Sequence, residues 1–221
     1  MFNRKKKGSN RSAIRDTLFG DMPISAWTGN HSTDEPWVHF QEVEKHLESG
    51  NPQMAIHVLS KILETPNLES RHYLQAWHFL RPLGVNPPEE IAQKIYGVVV
   101  EVAMPQGVDI VAAYADRTAR YFNFGGAAIV WEHPDESLDE NINNLIDAGQ
   151  AIVRNIGPWE EELPDVPPQG QARVNMLTPS GLHFGQAPLN ALANDAMGGP
   201  IIKAALDLMQ ALIRKRGDVS A

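Results

Sequence analysis

The chain has 221 residues, 43% hydrophobic and 21% charged, which suffices for one large domain or two small ones with a buried core. It contains no cysteine. That excludes disulfides, thiolate zinc sites, iron–sulfur clusters and a cysteine nucleophile, and it fits a reducing compartment. The net charge of −8 is unevenly spread. Residues 1–15 hold Arg4, Lys5, Lys6, Lys7, Arg11 and Arg15 and no acid, so the remainder is strongly acidic and does not read as a nucleic-acid binder. Contact with nucleic acid or an anionic membrane is thereby confined to the basic tail around Lys5, Lys6 and Lys7; the alternative is a solvated segment that aids solubility. No apolar run approaches the ~18 residues of a membrane span, and the run Val98–Val102 is broken by Glu101. No apolar stretch follows the N-terminal basic residues and position 2 is not glycine, so neither a secretory signal nor a myristoyl anchor is expected. These features predict a soluble, cytoplasmic protein.

Residues 1–34 are rich in Gly, Ser, Asn, Asp and Lys, with isolated apolar residues (Ile14, Leu18, Phe19, Ile24, Trp27) and no sustained period. They predict a disordered basic leader, with Leu18, Phe19 and Trp27 available to dock on the body. From Pro36 the spacing of Phe40, Val43 and Leu47 predicts a helix ended by Gly50. A second helix opens at Pro52 with stripe Ala55, Ile56, Leu59, Ile62, Leu63 and stops at Pro66. A third runs from Glu69 to Leu80 with stripe Tyr73, Leu74, Trp77, Leu80, closed by Pro82 and Gly84. The stretch Leu47–Ile56 followed by Leu59 and Ile62 resembles half of a tetratricopeptide repeat: a small residue at the tight turn, an Ala-apolar pair, then apolar residues at helical spacing. The resemblance covers roughly 40 residues, and because an array needs about three units it implies a helical hairpin rather than a solenoid.

After a short helix from Pro87 to Gln93 the period becomes two. Ile95–Met104, Val108–Tyr114, Thr118–Phe124 and Ala127–Glu132 predict four strands joined by short turns, hence an antiparallel meander. Ser137 and Glu140 have capping-box spacing ahead of a helix with stripe Leu138, Ile142, Leu145, Ile146, Ile152, Val153, ended by Gly157-Pro158. Residues 158–170, with four prolines, read as an extended surface connection. Arg173–Leu177 and Leu182–Phe184 predict a hairpin, and a last helix spans Pro200 to Arg216.

The eight histidines form no His-x-x-x-His pair on a helix; His39 and His46 stand two turns apart, roughly 10 Å of rise. No metal is therefore expected, and no zinc-protease, Walker or dinucleotide motif occurs, so no cofactor is expected either. Gly-x-Ser-x-Gly is absent, yet Ser180 and His183 lie across one hairpin turn, where a serine nucleophile is weighed against an ordinary turn residue. Gly198-Gly199 precede a helix and offer N–H groups to an anion. The richest polar set is Tyr114, Asp116, Arg120, Tyr121, Asn123 and His183. If one sheet face is uncovered, these mark a ligand- or partner-binding site; otherwise the aromatics fill the core and the polar groups face water.

The expected fold is α+β. A disordered basic leader (1–34) precedes a TPR-like helical subdomain (35–93) and an antiparallel meander packed with two long helices (94–221). The expected function is a non-catalytic cytoplasmic protein–protein interaction or regulatory role with a protein partner. The alternative is a small-molecule-binding or hydrolytic domain using the sheet face near Arg120 and His183.

Overall fold

The computed structural model describes residues 9–28, 34–161 and 166–219; the tail lysines Lys5, Lys6 and Lys7 lie outside them. The fold is α+β, and the chain divides into two compact units at Val85–Asn86.

The first unit is helical: α1 (Ser9–Phe19), α2 (Ile24–Thr28), α3 (Trp37–Glu48), α4 (Pro52–Glu64) and α5 (Ser70–Leu80), followed by a short 3-10 turn. The segment expected to be a disordered leader thus carries two helices, α1 and α2, within its described part. Its apolar residues show no common period because they belong to two short helices separated by a turn at Gly20. That glycine has φ of +63° and sits so close to α5 that a Cβ would lie 2.8 Å from Leu74 Cβ. The buried Gln75 side chain then holds the chain in place. It accepts from Met22 N at 3.1 Å and donates to Met22 O at 2.8 Å. Leu18, Phe19 and Trp27 are buried, and the Trp27 ring packs against Trp37, Phe40 and His72 at centroid distances of 5.0, 5.7 and 5.9 Å. At the α3–α4 turn Gly50 has φ of +67°, and Asn51 caps α4 by accepting from Met54 N.

The second unit holds α6 (Glu89–Ala92), β1 (Gly97–Met104), β2 (Gly107–Tyr114), β3 (Ala119–Phe122), β4 (Ala128–Trp131), α7 (Asp139–Val153), β5 (Gln171–Thr178), β6 (Gly181–Pro188), α8 (Leu189–Asn194) and α9 (Gly198–Val219). The α6 turn goes with the sheet rather than with the helices before it. Ala92 O accepts from Ser180 N and Gln93 O accepts from Gln150 Nε2. The six strands form one antiparallel sheet in the order β4-β3-β2-β1-β5-β6. The meander runs outward from β1, and α7 returns the chain to the free side of β1, where the β5–β6 hairpin pairs. Helices α7 and α9 pack together on one face, over Val98, Val100, Val111, Ala113, Tyr121, Trp131, Val174 and Met176. None of the described helices is long and apolar enough to cross a membrane.

Two local features differ from the sequence pattern. Helix α7 starts at Asp139 with Leu138 as its cap, because Ser137 N is engaged by Asp135 Oδ1 at 2.8 Å and the Ser137 capping box does not form. Helix α8 lies where no element was expected; it is six residues long, too short for its period to stand out.

Helix α7 approaches the sheet closely at Gly149, where a Cβ would lie 2.8 Å from Val98 Cγ2 on β1 and 2.9 Å from Ile95 Cδ1 just before it. Gly149→Leu must push α7 off the sheet and is expected to cost about 2–3 kcal/mol, read as a lower urea midpoint with unchanged slope.

Candidate functional site

The strand register disperses the six residues that the sequence groups on one face. Arg120 on β3 and His183 on β6 point to opposite faces, because Arg120 pairs with Ala112 and Val130 whereas His183 pairs with Met176 on the helix-covered side. They are four strand spacings apart, about 19 Å, and share no ligand. Each residue is instead held locally. Tyr114 is fully buried with its ring over Gly97, where a Cβ would come within 2.8 Å. Asp116 Oδ1 accepts from Thr118 N and Oγ1 in the β2–β3 turn. Arg120 donates to the carbonyls of Ala119 and Trp131, both at 3.0 Å, and pairs with Glu132 at 2.8 Å. The Tyr121 hydroxyl lies 3.3 Å from Asp109 Oδ2; burial, and then the Asp109 charge, push its phenol up. Asn123 Oδ1 accepts from Ala127 N and closes the β3–β4 hairpin.

On the face opposite the helices is a polar row that sequence reasoning missed. Glu101 on β1 pairs in register with Arg173 on β5, and both are buried. Asn175 Nδ2 donates to Val99 O and to Glu101 Oε2, both at 3.0 Å, while Arg173 Nη1 stands 3.6 Å from the same oxygen. Arg173 Nε donates to Gln186 Oε1 at 2.9 Å, and its guanidinium lies 5.5 Å from the Phe184 ring. The row is charge-neutral, which suits it to fixing strand register rather than to binding an ion. Its signal in the sequence is the charge that interrupts Val98–Val102, matched by Arg173 and Asn175 at spacing two on a later strand.

A second cluster forms at the β5–β6 turn. His183 is fully buried. Its Nδ1 lies 3.1 Å from Ile156 O and its Nε2 lies 3.2 Å from Ser180 Oγ. A carbonyl only accepts, so Nδ1 carries a proton and the neutral ring accepts at Nε2 from the Ser180 hydroxyl. Thr178 Oγ1 stands 2.9 Å from both Ser180 Oγ and Gly181 O. This places a hydroxyl and a base in contact, with a carbonyl where a charged orienting group would sit in a catalytic triad. Burial pushes the His183 pKa down, against the opposing effect of the Ile156 and Gly157 backbone.

The two glycines fall inside α9, at its start, and their amides are already taken: Gly199 N donates to Asp195 O at 2.8 Å. Asp195 Oδ1 accepts from Gly198 N at 2.7 Å and Met197 N at 2.9 Å, and these bonds lower its carboxyl pKa. Among the described residues no cluster of three metal-ligating side chains exists.

The remaining feature is an open flank. In the β3–β4 ladder Asn123 N donates to Ala127 O, so by antiparallel alternation Ala128 and Val130 direct their N–H and C=O groups away from β3. Ala128 is exposed and Val130 is 52% exposed. The opposite edge, β6, is partly covered, since Leu182 O accepts from Trp159 N. Beside β4 lies α9, whose Lys215 Nζ is 5.8 Å from the Trp131 ring. Ile202, Leu206, Met209 and Ile213 follow one another along α9 at spacings of four, three and four. Ile202 and Met209 are half-buried against the core, whereas Leu206 and Ile213 are 48% and 46% exposed. A shallow groove of about 260 Å³ on the α7 side of α9 is lined by Asn141, Asn144 and Ala148 of α7 and by Lys203, Ala204 and Asp207 of α9. On the helical wheel the apolar seam is therefore on the flank facing away from α7.

No protein-family model matches this chain, and no curated protein or solved structure gives a match.

The His183 geometry sets a pH dependence. Its folded pKa is depressed, so between the folded and unfolded values the unfolded chain binds more protons. The stability it contributes is full above ~6.5 and is lost as pH falls through the folded pKa. Urea midpoints at pH 8 and pH 5 should differ more in the wild type than in His183→Gln. His78, also pushed down by burial, is present in both proteins and cancels. Equal pH responses would contradict this account.

Proposed function

We propose that the chain is a non-catalytic cytoplasmic interaction protein whose docking surface is the flank formed by β4 and α9. The observation that carries this reading is the coincidence of an unpaired strand edge with an exposed apolar helix seam. Exposed apolar side chains scattered singly need no explanation. Here the outward backbone groups of Ala128 and Val130 take no partner among the described residues, α9 with its exposed Leu206 and Ile213 runs beside the same strand, and unpaired edges template pairing with another chain. The cytoplasmic assignment rests on the absence of cysteine. The helices α3 and α4, joined at Gly50, are read as a tetratricopeptide-like hairpin that adds a second protein-binding surface. Contact with nucleic acid or anionic membrane is assigned only to the tail lysines Lys5, Lys6 and Lys7. The double variant Val130→Lys/Leu206→Lys places charges on exposed positions and should leave the fold intact. It is expected to weaken a partner recovered from the native cell by about 10- to 100-fold, as loss of central apolar contacts does, when measured by titration with the purified partner. Unchanged affinity rejects the flank as the docking surface.

A second reading is favoured by one observation, the Ser180 Oγ–His183 Nε2 contact at 3.2 Å. It makes the turn a hydrolytic site with Ser180 as nucleophile and His183 as base; Arg120 has no part in it. A fluorophosphonate probe should then label the wild type and spare both Ser180→Ala and His183→Gln. Absence of labelling in the wild type removes this reading.

A further inference from the structure

Resting on the interaction reading, we infer that the occupant of the β4–α9 flank is a second copy of this chain, related by a two-fold axis that passes beside Ile129.

The strand edge supports a self-complementary register. Ala128 and Val130 both present outward N–H and C=O groups. Pairing Ala128 of one copy with Val130 of the other, and the reverse, uses all of them in two hydrogen-bonded antiparallel pairs. Ile129 then faces its own symmetry mate between these pairs, on the face that carries α9, as a β-branched cross-strand pair.

The charges are compatible with this register. Glu132, already neutralised by Arg120 at 2.8 Å, falls opposite Gly126 of the second copy and not opposite another Glu132. The α9 seam contains no charge between Ile202 and Ile213, since Lys203, Asp207 and Gln210 turn toward the α7 side. Two copies of a chain with net charge −8 can therefore meet in this register without a carboxylate opposing its own mate, and the cation on this flank, Lys215, is held 5.8 Å from the Trp131 ring, as an acidic chain that self-associates requires.

The helices follow from the strands. A two-fold axis perpendicular to the sheet that makes β4 antiparallel to its mate also brings the two α9 helices together on the same face, antiparallel. Seams spaced four, three and four are the spacing by which facing helices interdigitate. One operation thus satisfies the edge hydrogen bonds and covers Leu206 and Ile213, as an isologous contact requires.

The chain has no cysteine, so a single introduced thiol reports the contact. At a non-hydrogen-bonded antiparallel pair the Cα atoms are about 4.5 Å apart, within the ~4.4–6.8 Å span of disulfides. On oxidation, Ile129→Cys is expected to form a covalent dimer at least about tenfold faster than Met197→Cys, an exposed control outside the seam. Adding Leu206→Lys/Ile213→Lys should abolish the difference. In sedimentation equilibrium at about 100 μM the unmodified chain should show twice the chain mass, and Leu206→Lys/Ile213→Lys or Val130→Lys the single mass with an unchanged circular dichroism spectrum. A wild type of single-chain mass overturns the inference. So does a dimer that persists in both lysine variants, which also serve if Ile129→Cys folds poorly. A monomeric wild type that still binds another protein through Val130 and Leu206 rejects the second copy and leaves the interaction reading standing; no flank-dependent association of either kind rejects both.

Discussion

A carboxylate in the middle of the central strand constrains the second unit more than any other group. Glu101 lies on β1, which has a partner on each side, and its exposure is only 5%. An ion in that position costs several kcal/mol unless it is paired and hydrogen-bonded. Arg173 and Asn175 supply both, and they do so from one face of β5. A slip of β5 by one residue would carry both side chains to the helix-covered face and strand the carboxylate. The ion pair therefore acts less as a source of stability than as a register pin for the β5–β6 hairpin.

That register fixes what the hairpin turn can do. With Arg173 opposite Glu101, Met176 lies opposite His183 on the helix side, and the turn comes up beneath the end of α7, where Ile156 O meets the imidazole. The proton inventory of the cluster is then uneven. With His183 neutral, the single proton of Thr178 is shared between Ser180 Oγ and Gly181 O. With His183 charged, every bond runs one way, from Nε2 through Ser180 and Thr178 to the Gly181 carbonyl. The charged state is better hydrogen-bonded, yet burial opposes it, and the depressed pKa shows that desolvation dominates. A neutral base facing a hydroxyl is the arrangement nucleophilic catalysis needs. It is equally an arrangement that locks a tight turn, and in neither role does the remote Arg120 contribute.

Most of the fold was legible because period and punctuation agreed along the chain. The four meander strands and helices α3, α4, α5, α7 and α9 fall where alternation, helical stripes, glycines and prolines put them. The failures have separate causes. Leu18, Phe19 and Trp27 read as strays because α1 is mostly polar and α2 has only five residues; the turn between them is held by Gln75, more than fifty residues on from Met22, and Trp27 by Trp37, Phe40 and His72. Ser137 read as a cap because its spacing to Glu140 is right, but a nearer acceptor, Asp135, had taken its amide. The site was less legible still. Arg120, Tyr121 and His183 are neighbours in a list of polar strand residues and not in space, since a sheet's side chains alternate and strand order is not contained in local pattern. The pairing of Glu101 with Arg173 was written in the sequence as one charge interrupting a valine run and another on a distant strand, but only the crossover made by α7 joins them.

The two edges of the sheet differ for reasons that follow from the same crossover. Because α7 leaves from β4 and returns to β1, β6 ends up beneath the segment that follows α7, and Trp159 closes part of its edge. Nothing in the described chain does the same for β4. Edge strands that must remain solitary are usually blunted by a charge pointing inward, a proline or a bulge, whereas β4 reads Ala-Ile-Val-Trp. Its charged neighbour Glu132 lies beyond the ladder and is tied to Arg120. Retaining an unblunted apolar edge beside a helix that shows Leu206 and Ile213 to solvent is costly for a chain that acts alone and favourable for one that pairs. The polar row and the open edge thus divide one sheet between them: the charges fix which strand pairs where, and the uncharged edge is left unpaired among the described residues.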